Sequence, residues 1–138
     1  MNFPSASLGV LFRIRNGATP SSGRPTFWDG DVPWVTPADL GALNTRAVFA
    51  GARNISQAGY ESCGTQMVPK GALVLSIRAP IGHVAIAEQS LCFNQGCRGL
   101  IPTGRITTQF AYWALVAINA DLASRGQGTT FMELSRSK

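Results

Sequence analysis

The single histidine, His83, and the three cysteines, Cys63, Cys92 and Cys97, are the side chains with which this 138-residue chain would attempt nucleophilic or metal chemistry. A Ser-His-Asp or Cys-His arrangement would have to use His83. That residue heads the apolar run His83-Val-Ala-Ile-Ala87 directly after a Pro-Ile-Gly turn, and it reads as a satisfied strand-end histidine. The cysteines contain no Cys-x-x-Cys pair and match no common zinc-finger spacing, so they read as buried structural thiols. The seven acids are scattered, and none is followed two residues later by lysine, so the local half of a common nuclease metal site is missing. Neither the dinucleotide-binding Gly-x-Gly-x-x-Gly nor the phosphate-binding Gly-x-x-x-x-Gly-Lys-Ser/Thr is present. The glycine loop Gly126-Gln-Gly-Thr-Thr-Phe131 reads as a tight turn. No cofactor is called for.

What remains is arginine. Ten of the twelve basic residues are arginine and the formal charge is +5. The guanidinium is a planar fork that grips phosphate and guanine edges as lysine cannot. An apolar fraction of 45% with only 14% charged residues excludes a disordered tail. The length suits one domain with one core. No apolar run reaches the roughly 20 residues needed to span a bilayer. The N-terminus Met1-Asn-Phe-Pro lacks the basic and apolar regions of a secretory signal, and the cysteine count is odd, so the expectation is a reduced, cytoplasmic protein.

These residues need elements to hold them. Leu8, Val10, Phe12 and Ile14 alternate with smaller or basic residues, which predicts a strand over 7–15 ended by the turn Asn16-Gly17, with Arg13 and Arg15 on the opposite face. Residues 18–26, rich in Gly, Pro and Ser, predict a loop that is mobile or covered by a partner. Thr36 caps a short helical turn ahead of Pro37, and Gly41 stops it. Residues 45–59 are mixed and polar, with a turn or short helix at 55–59. Residues 72–78 predict a central strand, 83–87 its return, 91–94 another strand and 99–102 a short fourth one, all in the sheet of the domain. Residues 107–125 predict a long helix, with Phe110, Trp113, Ala114, Ala117 and Leu122 as its core-facing stripe and Tyr112, Leu115, Val116 and Ile118 widening it.

Several spaced blocks converge on one family. Arg15-Asn-Gly-Ala-Thr-Pro20, Phe27-Trp-Asp-Gly-Asp-Val-Pro-Trp-Val-Thr-Pro-Ala-Asp-Leu40, Val68-Pro-Lys-Gly71, Ser76-Ile-Arg-Ala-Pro-Ile-Gly82, Asn94-Gln-Gly96 and Gly128-Thr-Thr-Phe131 lie in that order along nearly the whole chain. Together they resemble the target recognition domain of type I restriction-modification specificity subunits. That family's full subunit carries two such domains, each followed by a long helix. This chain stops shortly after Glu133-Leu-Ser, as expected of an isolated domain or a half-size subunit.

The resemblance implies a mixed α/β fold in which residues 1–138 form a single recognition domain with a twisted, mostly antiparallel sheet, long loops and one long C-terminal helix. It also implies sequence-specific binding of double-stranded DNA, reading one half of a bipartite site, without catalysis. Modification (methyltransferase) and restriction subunits would carry the chemistry, using S-adenosylmethionine and ATP. A second copy or a second recognition domain would supply the other half. In such a family the base-reading residues belong in loops and polar stretches, which points to Ser22, Arg24, Arg46, Arg53, Asn54 and Gln57. Lys70, Arg78, Gln95 and Arg98, at strand ends and turns, suit phosphates, as do Gln127 and Thr129 of the second glycine loop. The stretch 28–41 then becomes a rigid, proline-fixed corner on the sheet, with Asp29, Asp31 or Asp39 placed to anchor an arginine such as Arg78. The competing expectation is an interaction module whose Trp28, Trp34, Phe110 and Trp113 form an apolar patch that docks a methyltransferase and regulates assembly.

Overall fold

The computed structural model describes residues 11–124. In chain order its elements are β1 (Phe12–Asn16), a 3-10 turn (Pro25–Phe27), β2 (Trp28–Val35), α1 (Pro37–Gly41), β3 (Ala47–Val48), β4 (Arg53–Ile55), α2 (Gln57–Ser62), β5 (Leu73–Ser76), β6 (Val84–Ala87), β7 (Cys92–Phe93), β8 (Cys97–Pro102) and α3 (Thr108–Ser124). The fold is mixed α/β. Its strands form two sheets where the sequence suggested one: a five-stranded sheet in the order β1-β8-β5-β6-β3 and a three-stranded sheet β4-β2-β7. The run at 91–94 does form a strand, but Cys92 and Phe93 pair in parallel with Trp34 and Val35, so this strand belongs to the smaller sheet. β3 and β6 are also parallel. The β1–β8, β2–β4, β5–β6 and β5–β8 pairs are antiparallel.

β5 is the hinge of the layering because all four of its residues are buried. Successive side chains of a strand point to opposite faces. Leu73 and Leu75 therefore join Phe12, Ile86 and Leu100 beneath Ala111 and Leu115 of α3. Val74 points the other way, into a cluster with Ala85, Ala87, Val35, Leu40 and Phe93. The larger sheet is thus covered by α3 on one face and by α1 and the smaller sheet on the other. A third cluster, Trp34, Ile55 and Cys92 with Trp28, Val32, Tyr60 and Met67, packs about the smaller sheet.

The helix occupies nearly its predicted span and only part of its predicted face. Ala111, Ala114 and Leu115 are buried, whereas Phe110 and Trp113 are 50% and 55% exposed and Ala117 is exposed. The helix is apolar around much of its circumference, so its periodicity carries little information about its phase. Small residues face the sheet and allow close approach. Leu122 and the predicted helix end at 125–126 lie outside the residues whose side chains are described. No helix among the described residues is long and apolar enough to cross a membrane.

The stretch 28–41 is a strand followed by a capped helix rather than a corner. Thr36 and Asp39 form a reciprocal capping box, with Asp39 N–H donating to Thr36 Oγ1 (3.2 Å) and Thr36 N–H donating to Asp39 Oδ2 (2.9 Å). The second oxygen, Oδ1, accepts from Ala52 N–H at 3.0 Å. Asp39 is therefore committed to backbone donors and does not anchor Arg78.

Candidate functional site

The two tryptophans of the 28–41 stretch hold the loop that precedes it. Trp34 Nε1–H donates to the carbonyl of Ala18 and Trp28 Nε1–H to that of Ser21, each at 3.0 Å. The indoles meet edge to face, with centroids 5.2 Å apart. Ser56 caps α2 through Gly59 N–H (3.0 Å), donates its hydroxyl to Thr26 O (2.6 Å) and gives its own N–H to Phe27 O (2.9 Å). The loop at 18–26 is consequently tied at both ends to β2 and α2, and part of it is the 3-10 turn.

On this frame the predicted base-reading residues Ser22, Arg24, Arg53, Asn54 and Gln57 gather around one end of the smaller sheet. Arg24 lies over the Phe27 ring (5.3 Å) and Arg53 over the Trp28 ring (4.3 Å). Both arginines are exposed. Cation–π contact of this kind orients a guanidinium while leaving its edge available. Arg53 Nη2 also reaches Asp29, 3.4 Å from Oδ1 and 3.5 Å from Oδ2. Those long contacts in an exposed pair are weak. Asn54 Nδ2 donates to Gly30 O (3.2 Å) and Gln57 Nε2 to Glu61 Oε2 (2.9 Å). Ser22 is exposed.

A second group adjoins the first. Thr19 Oγ1 donates to Gln95 Oε1, joining the loop after β1 to the turn between β7 and β8. Arg98 Nη1 donates to the carbonyls of Gln95 (3.3 Å) and Cys97 (3.0 Å). Arg78 is exposed and its backbone N–H bonds Gly96 O (3.3 Å). Of the three acids expected to anchor an arginine such as Arg78, Asp29 does pair with an arginine, but that arginine is Arg53, across β2 and β4. Lys70 and Arg46 stand apart. Lys70 is exposed in the turn before β5, at the opposite end of that strand from Arg78. Arg46 lies over Trp113 of α3 (5.5 Å), on the far side of the larger sheet from β4. Gln127 and Thr129 lie outside the described residues.

Asp29 was expected to anchor an arginine, but its strained backbone was not foreseen. Asp29 has a φ of 63°, a left-handed conformation that costs a non-glycine residue about 1–2 kcal/mol and that Asp and Asn tolerate best. The signal was the dipeptide Asp29-Gly30 within a strand pattern, which marks a break in pairing.

Of the three cysteines expected to be buried thiols, Cys92 and Cys97 are buried and Cys63 is half-buried. Burial pushes the Cys92 thiol up to about 11, and burial followed by the nearby Asp39 carboxylate pushes Cys97 up to about 12. Both stay protonated near neutral pH, whereas the thiolate is the nucleophile. His83 is exposed and precedes β6, with its N–H bonded to Ser76 Oγ at 2.9 Å. No group of three or more His, Cys, Asp or Glu side chains among the described residues is arranged to hold a metal ion.

Comparison with known proteins gives concordant findings. The family model "Type I restriction modification DNA specificity domain" matches residues 2–138. The chain is 36% identical over 126 residues to the type I restriction enzyme MjaIX specificity subunit of Methanocaldococcus jannaschii, covering 90% of this chain and 29% of that protein. The fold is similar to the HsdS subunit from Thermoanaerobacter tengcongensis, with a TM-score of 0.66 at 22% identity, covering 93% of this chain and 30% of that one. A chain from a structure concerned with complex assembly and conformational transition of the type I R-M system gives a TM-score of 0.68 at 20% identity, covering 98% of this chain and 34% of that one. This chain thus spans about a third or less of the length of these relatives.

Proposed function

Because the chain belongs to the type I restriction-modification DNA specificity domain family, we propose that residues 1–138 are one recognition domain that binds double-stranded DNA and reads one half of a bipartite target. It is a non-catalytic element. It directs methyltransferase subunits and, through them, restriction subunits, which use S-adenosylmethionine and ATP; it needs no cofactor of its own and works in the cytoplasm. A second copy or a second recognition domain reads the other half.

One observation carries this reading: Arg24 and Arg53, from different segments, lie over the rings of adjacent residues Phe27 and Trp28 at one end of the smaller sheet. The Thr19–Gln95 hydrogen bond continues that area toward Arg98 and Arg78. Loop-borne forks beside further cations suit a duplex, whose bases specify and whose phosphates position. Arg24, Arg53, Asn54, Gln57 and Ser22 are the base-reading set. Arg78, Gln95 and Arg98 contact phosphates. Arg46 and Lys70, set apart, act at the margins of the duplex, and Gln127 and Thr129 complete the phosphate set.

The test is selection on random duplexes with modification subunits added, followed by titration of single-base variants at several salt concentrations. Arg24→Ala is expected to relax one base position, changing preference on the order of tenfold. Arg78→Ala is expected to weaken every sequence alike and to lower the salt slope by about 0.9. Uniform loss for Arg24→Ala would remove its base-reading role; absence of any selected sequence would remove the function.

A second reading is favoured by Phe110 and Trp113, large apolar side chains left exposed on α3. In it, this face docks a methyltransferase subunit and regulates assembly without the chain reading DNA itself. The half-buried Trp28 and buried Trp34, tied to the loop, do not contribute to such a patch. Trp113→Ser is expected to reduce co-purification with the modification subunits while changing stability by no more than about 0.5 kcal/mol. Unchanged co-purification would dismiss this reading.

A further inference from the structure

We infer that Arg53 reads a guanine edge and that Asp29 and Trp28 position its guanidinium for this purpose, an inference that rests on the DNA-reading function proposed above.

The argument starts from a break in strand pairing. Trp28 and Val32 both face Ile55 across β2 and β4, so the residues between them are extruded from the ladder. A bulge of this kind re-aims side chains. Within it, Asp29 is the non-glycine residue with positive φ among those described. Such strain persists where the surroundings impose it, commonly at functional sites.

Here the strained residue has a definite neighbour. Its carboxylate meets Arg53 Nη2, while the same guanidinium lies 4.3 Å from the Trp28 ring centroid. Trp28 is itself fixed by its bond to Ser21 O and by its edge-to-face contact with Trp34. Asn54, next to Arg53, donates to Gly30 O within the bulge. A long side chain is therefore laid on a ring face, with a weak carboxylate contact biasing its direction, before any ligand arrives, and preorganisation of this sort strengthens binding. Even so, the Arg53 side chain remains 52% exposed. Its Nη1 and Nε have no hydrogen-bond partner among the described residues.

The neighbouring charges choose between the two targets of an arginine. Asp29 and Asp31, both exposed, lie in the bulge. The Asp29 carboxylate, in contact with the fork, repels a phosphate. The O6 and N7 of guanine are uncharged acceptors spaced for the two prongs of a guanidinium. Arg24, over Phe27 with no acid among its partners, lacks this bias.

The experiment uses the full chain with modification subunits, a sequence selected from random duplexes, and titration of that duplex and all its single-base variants. Arg53→Ala is expected to lower the preference for one guanine on the order of tenfold and to leave the other positions unchanged. Asp29→Gly accommodates the positive φ, so it is expected to unfold at the wild-type temperature or above. It is nevertheless expected to lose preference at the same guanine. Trp28→Phe, which keeps a ring face, is expected to retain most of it, and Trp28→Leu to lose it. Equal weakening of all variants by Arg53→Ala indicates a phosphate contact and overturns the inference. A wild-type profile in Asp29→Gly overturns the positioning role. A wild-type chain that selects a sequence while Arg53→Ala leaves every position unchanged sinks this inference alone; a wild-type chain that selects nothing sinks the functional reading with it.

Discussion

Replacing Phe93 by alanine is expected to lower the unfolding free energy by about 3–5 kcal/mol, the usual cost of deleting a fully enclosed aromatic ring. Phe93 is wholly buried and belongs to the core cluster between the two sheets. Its ring lies against Gly99 of β8, where a Cβ would stand 2.7 Å from Phe93 Cζ and 2.6 Å from Val68 Cγ1. A glycine has no side chain with which to refill the space, so the cavity persists. The backbone around it is rigid too: Thr65 Oγ1 donates to Phe93 O (2.8 Å), and Ala18 N–H donates to the same oxygen (3.0 Å). Domains of this size are stable by only about 5–15 kcal/mol, so the variant should be marginal. Denaturant titration checks this, and a loss below about 1.5 kcal/mol would mean that the sheets collapse onto the gap.

Gly17→Ala is the second large effect, expected to cost about 3 kcal/mol, toward the upper end of overpacking penalties. A Cβ at residue 17 would collide with the carbonyl oxygen of Asn94 and stand 2.5 Å from that of Phe93. These are main-chain atoms of β7 and the turn after it, so no side-chain rotation relieves the clash. The strand or the loop must move. Because Ala18 is the next residue and its carbonyl receives the Trp34 indole N–H, displacement propagates into the 18–26 loop. Thermal unfolding should fall on the order of 10 °C, with increased amide exchange at Ala18 and Arg24 before the core strands respond. Exchange that rises uniformly instead would show that the loop and core open as one unit.

Much of the fold was legible where the determining interactions are local. The Thr36 cap ahead of Pro37 forms as read, and Asp39, read as an arginine anchor, closes it into a reciprocal capping box within the same four residues. The β5–β6 hairpin follows from two apolar runs around Pro80-Ile-Gly82, and the helix from its composition. Features set by distant pairing were not legible. Nothing local tells Cys92-Phe93 to join β2 rather than its chain neighbours, and that choice makes two sheets. Nor does an Ala-rich apolar helix announce that Ala111 faces the core while Phe110 does not. The candidate site divides in the same way. Arginine in polar segments could be singled out by composition, but the alliance of Arg53 with Trp28 and Asp29 depends on the β2–β4 register. Arg46 and Arg53, alike on paper, are separated by the packing of β3 and β4 into different sheets.

The indole bonds of Trp28 and Trp34 end on the carbonyls of Ser21 and Ala18, and Ser56 likewise grips the carbonyls of Thr26 and Phe27. A main-chain carbonyl is common to all twenty amino acids. The clasp is therefore indifferent to which side chains the loop displays between its fixed points. Residues such as Ser22 and Arg24 can be exchanged wholesale without loosening the mount, so new displays can be tried on an old frame, one loop cassette at a time.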